Sequence, residues 1–339
     1  MENVLHRNLR NIGGGMTKHM KNGEMWLDDC GNQIQAHGGC IIKYENKWYW
    51  YGEYKGAENC PGLQRVDFIG ISCYSSFDLL DWHYEGLVLE AEPVGSGSIL
   101  EPKNVIERPK VAYNKKTDTF VMWMHVDTPD YVYGGIGVAV SNTPVGPFEL
   151  IYSGQPNKQD SRDMTVFVDR DNTAYLIHSS NWNKTLNISR LTEDYLKTDG
   201  FYVSVLVDQE REAPAIFYDK GMYYMITSGC TGWEYNSALY AECPHLLGKW
   251  KLIDNPCEGE GYRDTFKGQS SFVFEKDGKY FLMLDHWIPN DLQNSGYSIL
   301  PILINKGRLT VQWCDSPRQL FGVVNTTGDT ESGTAIENI

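Results

Sequence analysis

The sequence predicts an all-β protein, a five-bladed β-propeller, and three observations carry that prediction. One hairpin pattern recurs five times, each copy is followed by further strand-like sequence that brings the unit to four strands, and apolar residues hardly ever recur at helical spacing. Four antiparallel strands repeating at a period of roughly fifty residues are the units from which propellers build their blades. A β-sandwich or jelly roll is the next architecture in line, but neither gives a reason for five similar units.

The blades are taken in order. The first hairpin is "IQAHGGCIIKYENKWYWYGEYKG", Ile34 to Gly56: an apolar strand, a polar turn, then an aromatic strand ending on Glu53. The second is "RPKVAYNKKTDTFVMWMHVD", the third "DMTVFVDRDNTAYLIHSS", the fourth "EAPAIFYDKGMYYMITSG" and the fifth "SSFVFEKDGKYFLMLDHW". Each turn is made of Asp, Asn, Lys and Gly, residues that tolerate turn backbone. The third strands are "FIGISCYSS", "GIGVAVSNT", "TLNISRLTE", "SALYAECPH" and "YSILPILINKG", and aromatic segments at Trp82, Phe148, Trp250 and Trp313 close most units. The propeller is thus expected over residues 26–320, with an N-terminal extension over 1–25 and a C-terminal tail over 321–339.

In a propeller the first strand of every blade lines the channel and all run the same way, so their starting residues ring one mouth. Counting back a similar distance from each turn gives His37, Glu107, Asp163, Glu212 and Gln269. Strand starts border polar loops, so any one of these could be structural; five together, three of them acids, point to a site.

Composition narrows the ligand. The chain has 339 residues, a formal charge of -14 and a pI near 5.0, with no basic stripe, which argues against a nucleic-acid partner. No run approaches a membrane span, so no membrane partner is expected. The 10 Trp and 21 Tyr include several in Gly-rich loops, where flat apolar faces can receive sugar rings. The 8 cysteines form no CxxC pair and read as scattered thiols rather than a zinc site. The first thirty residues hold no apolar signal core, so the chain as given reads as cytoplasmic unless a signal has been removed. Oligomeric state cannot be read from these features. "GGIGVA" lacks the third glycine of a dinucleotide loop, and "GSGSI" is not a nucleophile elbow.

Two carboxyl groups across a cleft with aromatic platforms around them suit glycosidic bond cleavage, one protonating the leaving oxygen and one activating water. Here the sequence resembles glycoside hydrolase family 43, whose members are five-bladed propellers acting with inversion. The resemblance runs from about Trp26 to Leu320, and "IQAHGG", "YWYGE", "ERPKV", "GVAVSNTPVGPF", "SRDM", "GQSSFVF" and "DHWIPNDLQNSGYSILPI" look like the exo-β-1,3-galactanase branch. It implies release of terminal galactose from β-1,3-linked chains. Arabinofuranosides, xylosides or galactofuranosides on the same fold are the nearer alternative, and a non-catalytic carbohydrate-binding propeller the more distant one.

The resemblance makes Glu212 the general acid, where an ion pair with Arg211 is the plain alternative. It makes Glu107 the carboxylate that tunes and orients that acid, where a salt bridge to Arg108 or Lys110 is the rival. Most of the family carries an Asp-Pro base at the start of the first blade, and here that place reads Ala36, His37, Gly38. In the galactanase branch a last-blade glutamine has been proposed to hold the water, in one version as its imidic acid tautomer, and Gln269 matches it. The resemblance further implies Glu53 and Asp163 as acceptors for sugar hydroxyls, Tyr131 and Asn181 on the rim, Trp233 and Trp287 as stacking surfaces, and His37 near the terminal sugar. Some propellers of the family hold a channel cation, calcium for instance, on a histidine that His286 would match. No metal or other cofactor is assigned.

Overall fold

The computed structural model describes residues 20–322. It consists of five antiparallel sheets around a central channel. The first blade is β1 (His37–Tyr44), β2 (Lys47–Glu53), β3 (Gly70–Ser76) and β4 (His83–Glu90). The second is β5 (Val105–Asn114), β6 (Thr119–Asp127), β7 (Gly135–Ser141) and β8 (Glu149–Gly154). The third is β9 (Met164–Val168), β10 (Ala174–Ser180), β11 (Thr185–Leu191) and β12 (Thr198–Val205). The fourth is β13 (Arg211–Asp219), β14 (Met222–Gly229), β15 (Leu239–Cys243) and β16 (Lys251–Leu252). The fifth is β18 (Gln269–Lys276), β19 (Lys279–His286), β20 (Gly296–Asn305) and β21 (Arg308–Gln312), with the short β17 (Cys257–Glu258) pairing parallel to β21 as an extra outer strand.

Each blade is ordered from the channel outward in chain order, so every hairpin places its first strand innermost. The inner strands β1, β5, β9, β13 and β18 each pack on the next and close the ring from β18 back to β1. Turn chemistry sets the hairpins. Lys220–Gly221 and Asp277–Gly278 have consecutive positive φ angles (43° and 95°, 53° and 75°), which match the twist of paired strands.

Five apolar clusters occupy the seams between neighbouring blades. Tyr51 and Met122 meet between the first and second, Trp123 and Leu176 between the second and third, and Ile177 and Met225 between the third and fourth. Tyr224 and Leu282 meet between the fourth and fifth, and Trp50 and Met283 between the fifth and first. A single blade is apolar on both faces and cannot bury them alone, so the ring is one cooperative unit.

The last seam is sealed by the N-terminal segment. Asn22 exchanges hydrogen bonds with Ile299, Tyr297 N–H donates to the Glu24 carbonyl, and Trp26 packs against Trp50 and Tyr297. Residues 20–25 are therefore part of the propeller, and the boundary expected at 25/26 does not separate two bodies. Phe321 likewise packs on Phe274 and Phe281. The remainder of the extension and of the tail lies outside the described residues. No helix among the described residues is long and apolar enough to cross a membrane.

Candidate active site

Four of the five inner strands are irregular at the same end. Pairing slips between His37 and Cys40, Glu107 and Lys110, Glu212 and Ala215, and Ser270 and Phe272. In the first three, the residue after the polar one is left-handed: Gly38 at φ 58°, Arg108 at 54° and Ala213 at 51°. A bulge of this kind re-aims the side chain before it and frees a backbone N–H from the ladder. Pro109 and Pro214, which have no N–H to pair, occupy the following position in two of them. In the second blade the freed Arg108 N–H donates to Glu53 Oε1 at 2.9 Å. In the first, only glycine fits, because a Cβ on Gly38 would lie 2.2 Å from that same oxygen.

The bulged ends surround a cavity of about 370 Å3, within the usual size range of small-molecule sites. Glu212 stands in its wall. Its Oε1 accepts from Gln269 Nε2 at 3.1 Å and its Oε2 from Asn183 Nδ2 at 3.2 Å. Arg211 turns away and bonds Thr227 instead, so the ion pair weighed for Glu212 is not formed. Burial, reinforced by the Asp163 charge, outweighs Arg108 and pushes the Glu212 carboxyl up to about 8. It carries a proton at neutral pH, as a general acid must.

Glu107 is the opposite case. Tyr131 OH donates to its Oε1 at 2.9 Å, Lys55 Nζ lies 3.9 Å from that oxygen, and His125 Nδ1 lies 3.5 Å from Oε2. Burial would raise this carboxyl, but His125, Lys55 and Tyr131 together hold it down at about 2. His125 is itself pinned on its far side by Asp127 Oδ2 at 3.1 Å. Burial disfavours its charge, yet the two carboxylates raise it to about 9, so it stands as an imidazolium between two anions. Neither Arg108 nor Lys110, the partners weighed for Glu107, takes that place.

Arg108 sits at the centre of the mouth. Its Nε and Nη2 fork the Asp163 carboxylate at 3.1 and 2.8 Å, and Nη2 also reaches Gln269 Oε1 at 2.5 Å. Trp287 Nε1 donates to the same Gln269 oxygen at 2.9 Å, while Gln269 Nε2 reaches Ser228 Oγ at 3.0 Å as well as Glu212. All four hydrogen-bonding positions of this amide are used. Two donor-only groups at Oε1 fix it as an acceptor, which holds the amide form and disfavours an imidic acid in the ligand-free site. Glu53 is bonded through Oε2 to Lys55 Nζ at 2.7 Å, and burial raises its carboxyl despite that ammonium.

The expected aromatic wall is present: Trp233 and Trp287 form an edge-to-face pair, centroids 4.8 Å apart, and both line the cavity with Glu53, Asp163 and Tyr131. Two expectations need correction. His37 is fully buried and outside the cavity lining; the slip after it turns the ring onto Tyr297, with Nε2 2.9 Å from the Tyr297 hydroxyl and Nδ1 3.3 Å from Asp285. It lies behind the wall, its ring centroid 5.4 Å from that of Trp287. Asn181 is exposed outside the cavity lining, and Asn183, two residues on, enters instead, because the turn between them is left-handed throughout. His286 bonds Ser298 at 2.7 Å, and burial lowers it to about 4.

Residues not found from the sequence include Lys55, His125, Arg162 and Cys230, at or just beyond strand ends, and Asn183 in a turn. Counting inner-strand starts could not reach them. Arg108 was legible in principle, since "ERP" and "EAP" repeat one bulge motif.

A five-bladed propeller that holds one protonated and one ionised carboxyl group against paired tryptophans is built as a carbohydrate-cleaving enzyme. Residues 40–299 match the model of glycosyl hydrolases family 43, and the chain belongs to that family. It is a glycoside hydrolase. Among solved structures, it is similar to a family 43 β-1,3-galactosidase with galactodeoxynojirimycin, at 38% identity and TM-score 0.82, over 87% of this chain and 99% of that one. It is also similar to a Glu-to-Gln variant of the exo-β-1,3-galactanase from Phanerochaete chrysosporium with β-1,3-galactotriose, at 33% identity and TM-score 0.80. The exo-β-1,3-galactanase from Clostridium thermocellum is 35% identical with TM-score 0.78. The matches cover 86% and 87% of this chain but just under two thirds, 66% and 65%, of those two. No curated protein matches the chain.

Proposed function

We propose that the enzyme removes terminal galactose from β-1,3-linked galactan or galacto-oligosaccharides, one residue at a time and with inversion. The observation that carries hydrolysis is Glu212: a carboxyl buried in the wall of the cavity, oriented through both oxygens and protonated at neutral pH. The likeness to β-1,3-galactosidases and galactanases across most of this chain supports galactose and the β-1,3 linkage.

In this reading the terminal sugar enters against Trp233 and Trp287, with Glu53, Asp163 and Tyr131 taking its hydroxyls. Glu212 gives its proton to the glycosidic oxygen as that bond breaks. The ionised Glu107, with the Asp163 side chain forked by Arg108 beside it, offsets the positive charge that develops on the sugar ring. Water attacks C1 from the opposite face as the bond to the leaving oxygen breaks, and the proton it sheds passes to solvent, from which Glu212 regains its own. Gln269 is no base, since an amide does not take up a proton at neutral pH, and it contributes by position: its amide ties the acid, Arg108 and Trp287 into one frame that leaves the water one place to sit. A carbohydrate-binding propeller without activity would have no use for a proton-bearing Glu212, so hydrolysis is the better reading.

The test is a panel of aryl glycosides and β-1,3-galacto-oligosaccharides. Release of galactose from the oligosaccharides supports the reading. Hydrolysis confined to arabinofuranosides, xylosides or galactofuranosides would move the specificity, and binding without hydrolysis would remove the enzyme altogether.

A further inference from the structure

The turn between β10 and β11 has a feature that the cavity itself does not explain. Asn181, Trp182 and Asn183 are consecutive left-handed residues, at φ 52°, 55° and 61°. None is glycine, so the backbone is held in a conformation it resists. The restraint is Asp160, whose carboxylate accepts the Asn181 N–H at 2.6 Å, the Trp182 N–H at 3.0 Å, the Ser180 hydroxyl at 2.8 Å and the Arg162 guanidinium.

This turn does two things. It sends Asn183 inward to Glu212, and it sends Trp182 outward, where the residue is 62% exposed. The indole lies over the Arg162 guanidinium with 4.3 Å to the ring centroid, and Arg162 in turn lines the cavity and donates to the Tyr131 carbonyl. Trp182 is therefore an exposed aromatic surface beside two residues of the cavity lining, Arg162 and Asn183, and is backed by the Arg162 cation.

An exposed tryptophan alone says little; its place beside the acid says more. Glu212 Oε1 is tied to Gln269 of the fifth blade and Oε2 to Asn183 of the β10–β11 turn, so a leaving group held at Oε2 has this turn as its neighbour. The sugar that departs must then run along the β10–β11 turn.

We propose that Trp182, backed by Arg162, is the platform for the leaving-side galactosyl residue of a β-1,3-linked chain, which lays its apolar face on the indole. The proposal rests on the reading of Glu212 as the acid given above. Specificity for a chain over a single glycoside would then reside in this turn, outside the pocket that holds the terminal sugar.

The experiment compares wild type, Trp182→Ala and Trp182→Phe on β-1,3-galactobiose and galactotriose, with galactose binding followed by calorimetry. Trp182→Ala is expected to lose about tenfold in kcat/KM on both oligosaccharides, Trp182→Phe to recover most of it, and galactose affinity to stay within about twofold of wild type. Unchanged kcat/KM in Trp182→Ala overturns the proposal. So does an equal loss of galactose affinity, which would make the tryptophan a prop for the inner pocket. If wild type spares galactosides but cleaves another glycoside, the sugar assignment fails on its own, and the same three proteins on oligomers of that glycoside decide the platform. A wild type that hydrolyses nothing overturns both.

Discussion

At the scale of single residues, opposite protonation of two carboxyl groups in one small cavity does the chemical work. Glu212 is buried with the Asp163 charge nearby, and Glu107 has an imidazolium, an ammonium and a phenol. The acid works only while protonated, so kcat/KM should hold level below about pH 8 and fall as pH rises through that value. Glu212→Gln should lose about 10³-fold in turnover on oligosaccharides while still binding galactose, and a pH-rate profile beside a binding titration checks both. Gln269→Ala should lower kcat by about 10²-fold, since Arg108, Trp287 and Glu212 would lose their common partner; full turnover in that variant would remove Gln269 from the mechanism. Glu212 and Gln269 were legible because they begin inner strands. Lys55 and His125 were not: Lys55 lies beyond the end of a second strand and acts through Glu53 and Glu107, and His125 lies on a second strand and lines the cavity beside Glu107.

At the scale of elements, the bulged start of the inner strand is the recurring device. It appears in four blades, and it decides which residue faces the channel. The same slip occurs at His37, Glu107 and Glu212, yet Glu107 and Glu212 line the cavity while the His37 ring is drawn onto Tyr297 and Asp285, partners that counting from the turn does not reveal. The hairpins themselves were readable from alternation and turn chemistry, and the left-handed residue inside three of the bulges was not, because Gly38, Arg108 and Ala213 share a backbone conformation without sharing a side chain. Gly38→Ala places a methyl group against Glu53 at a positive φ. It should cost about 2 kcal/mol or more, read as a lowered urea midpoint at unchanged slope, together with weaker galactose binding as Glu53 is displaced. An unchanged midpoint would mean that the bulge relaxes freely.

At the scale of the whole molecule, five seams make one ring and the ring makes one mouth. The count of blades, their strand number and their order were legible because a blade is a local object of consecutive hairpins. The closure was not. Residues 20–25 read as an extension, yet Asn22 and Glu24 bond to the fifth blade at a sequence separation no local pattern reveals. Convergence of four of the five strand starts on one cavity is also what permits attack and departure on opposite faces of a single bound sugar. That stereochemistry tests the account most directly: NMR of the first galactose released from β-1,3-galactobiose, recorded before mutarotation, should show the α anomer. The β anomer appearing first would contradict an inverting mechanism, and with it the roles given to Glu212 and Gln269.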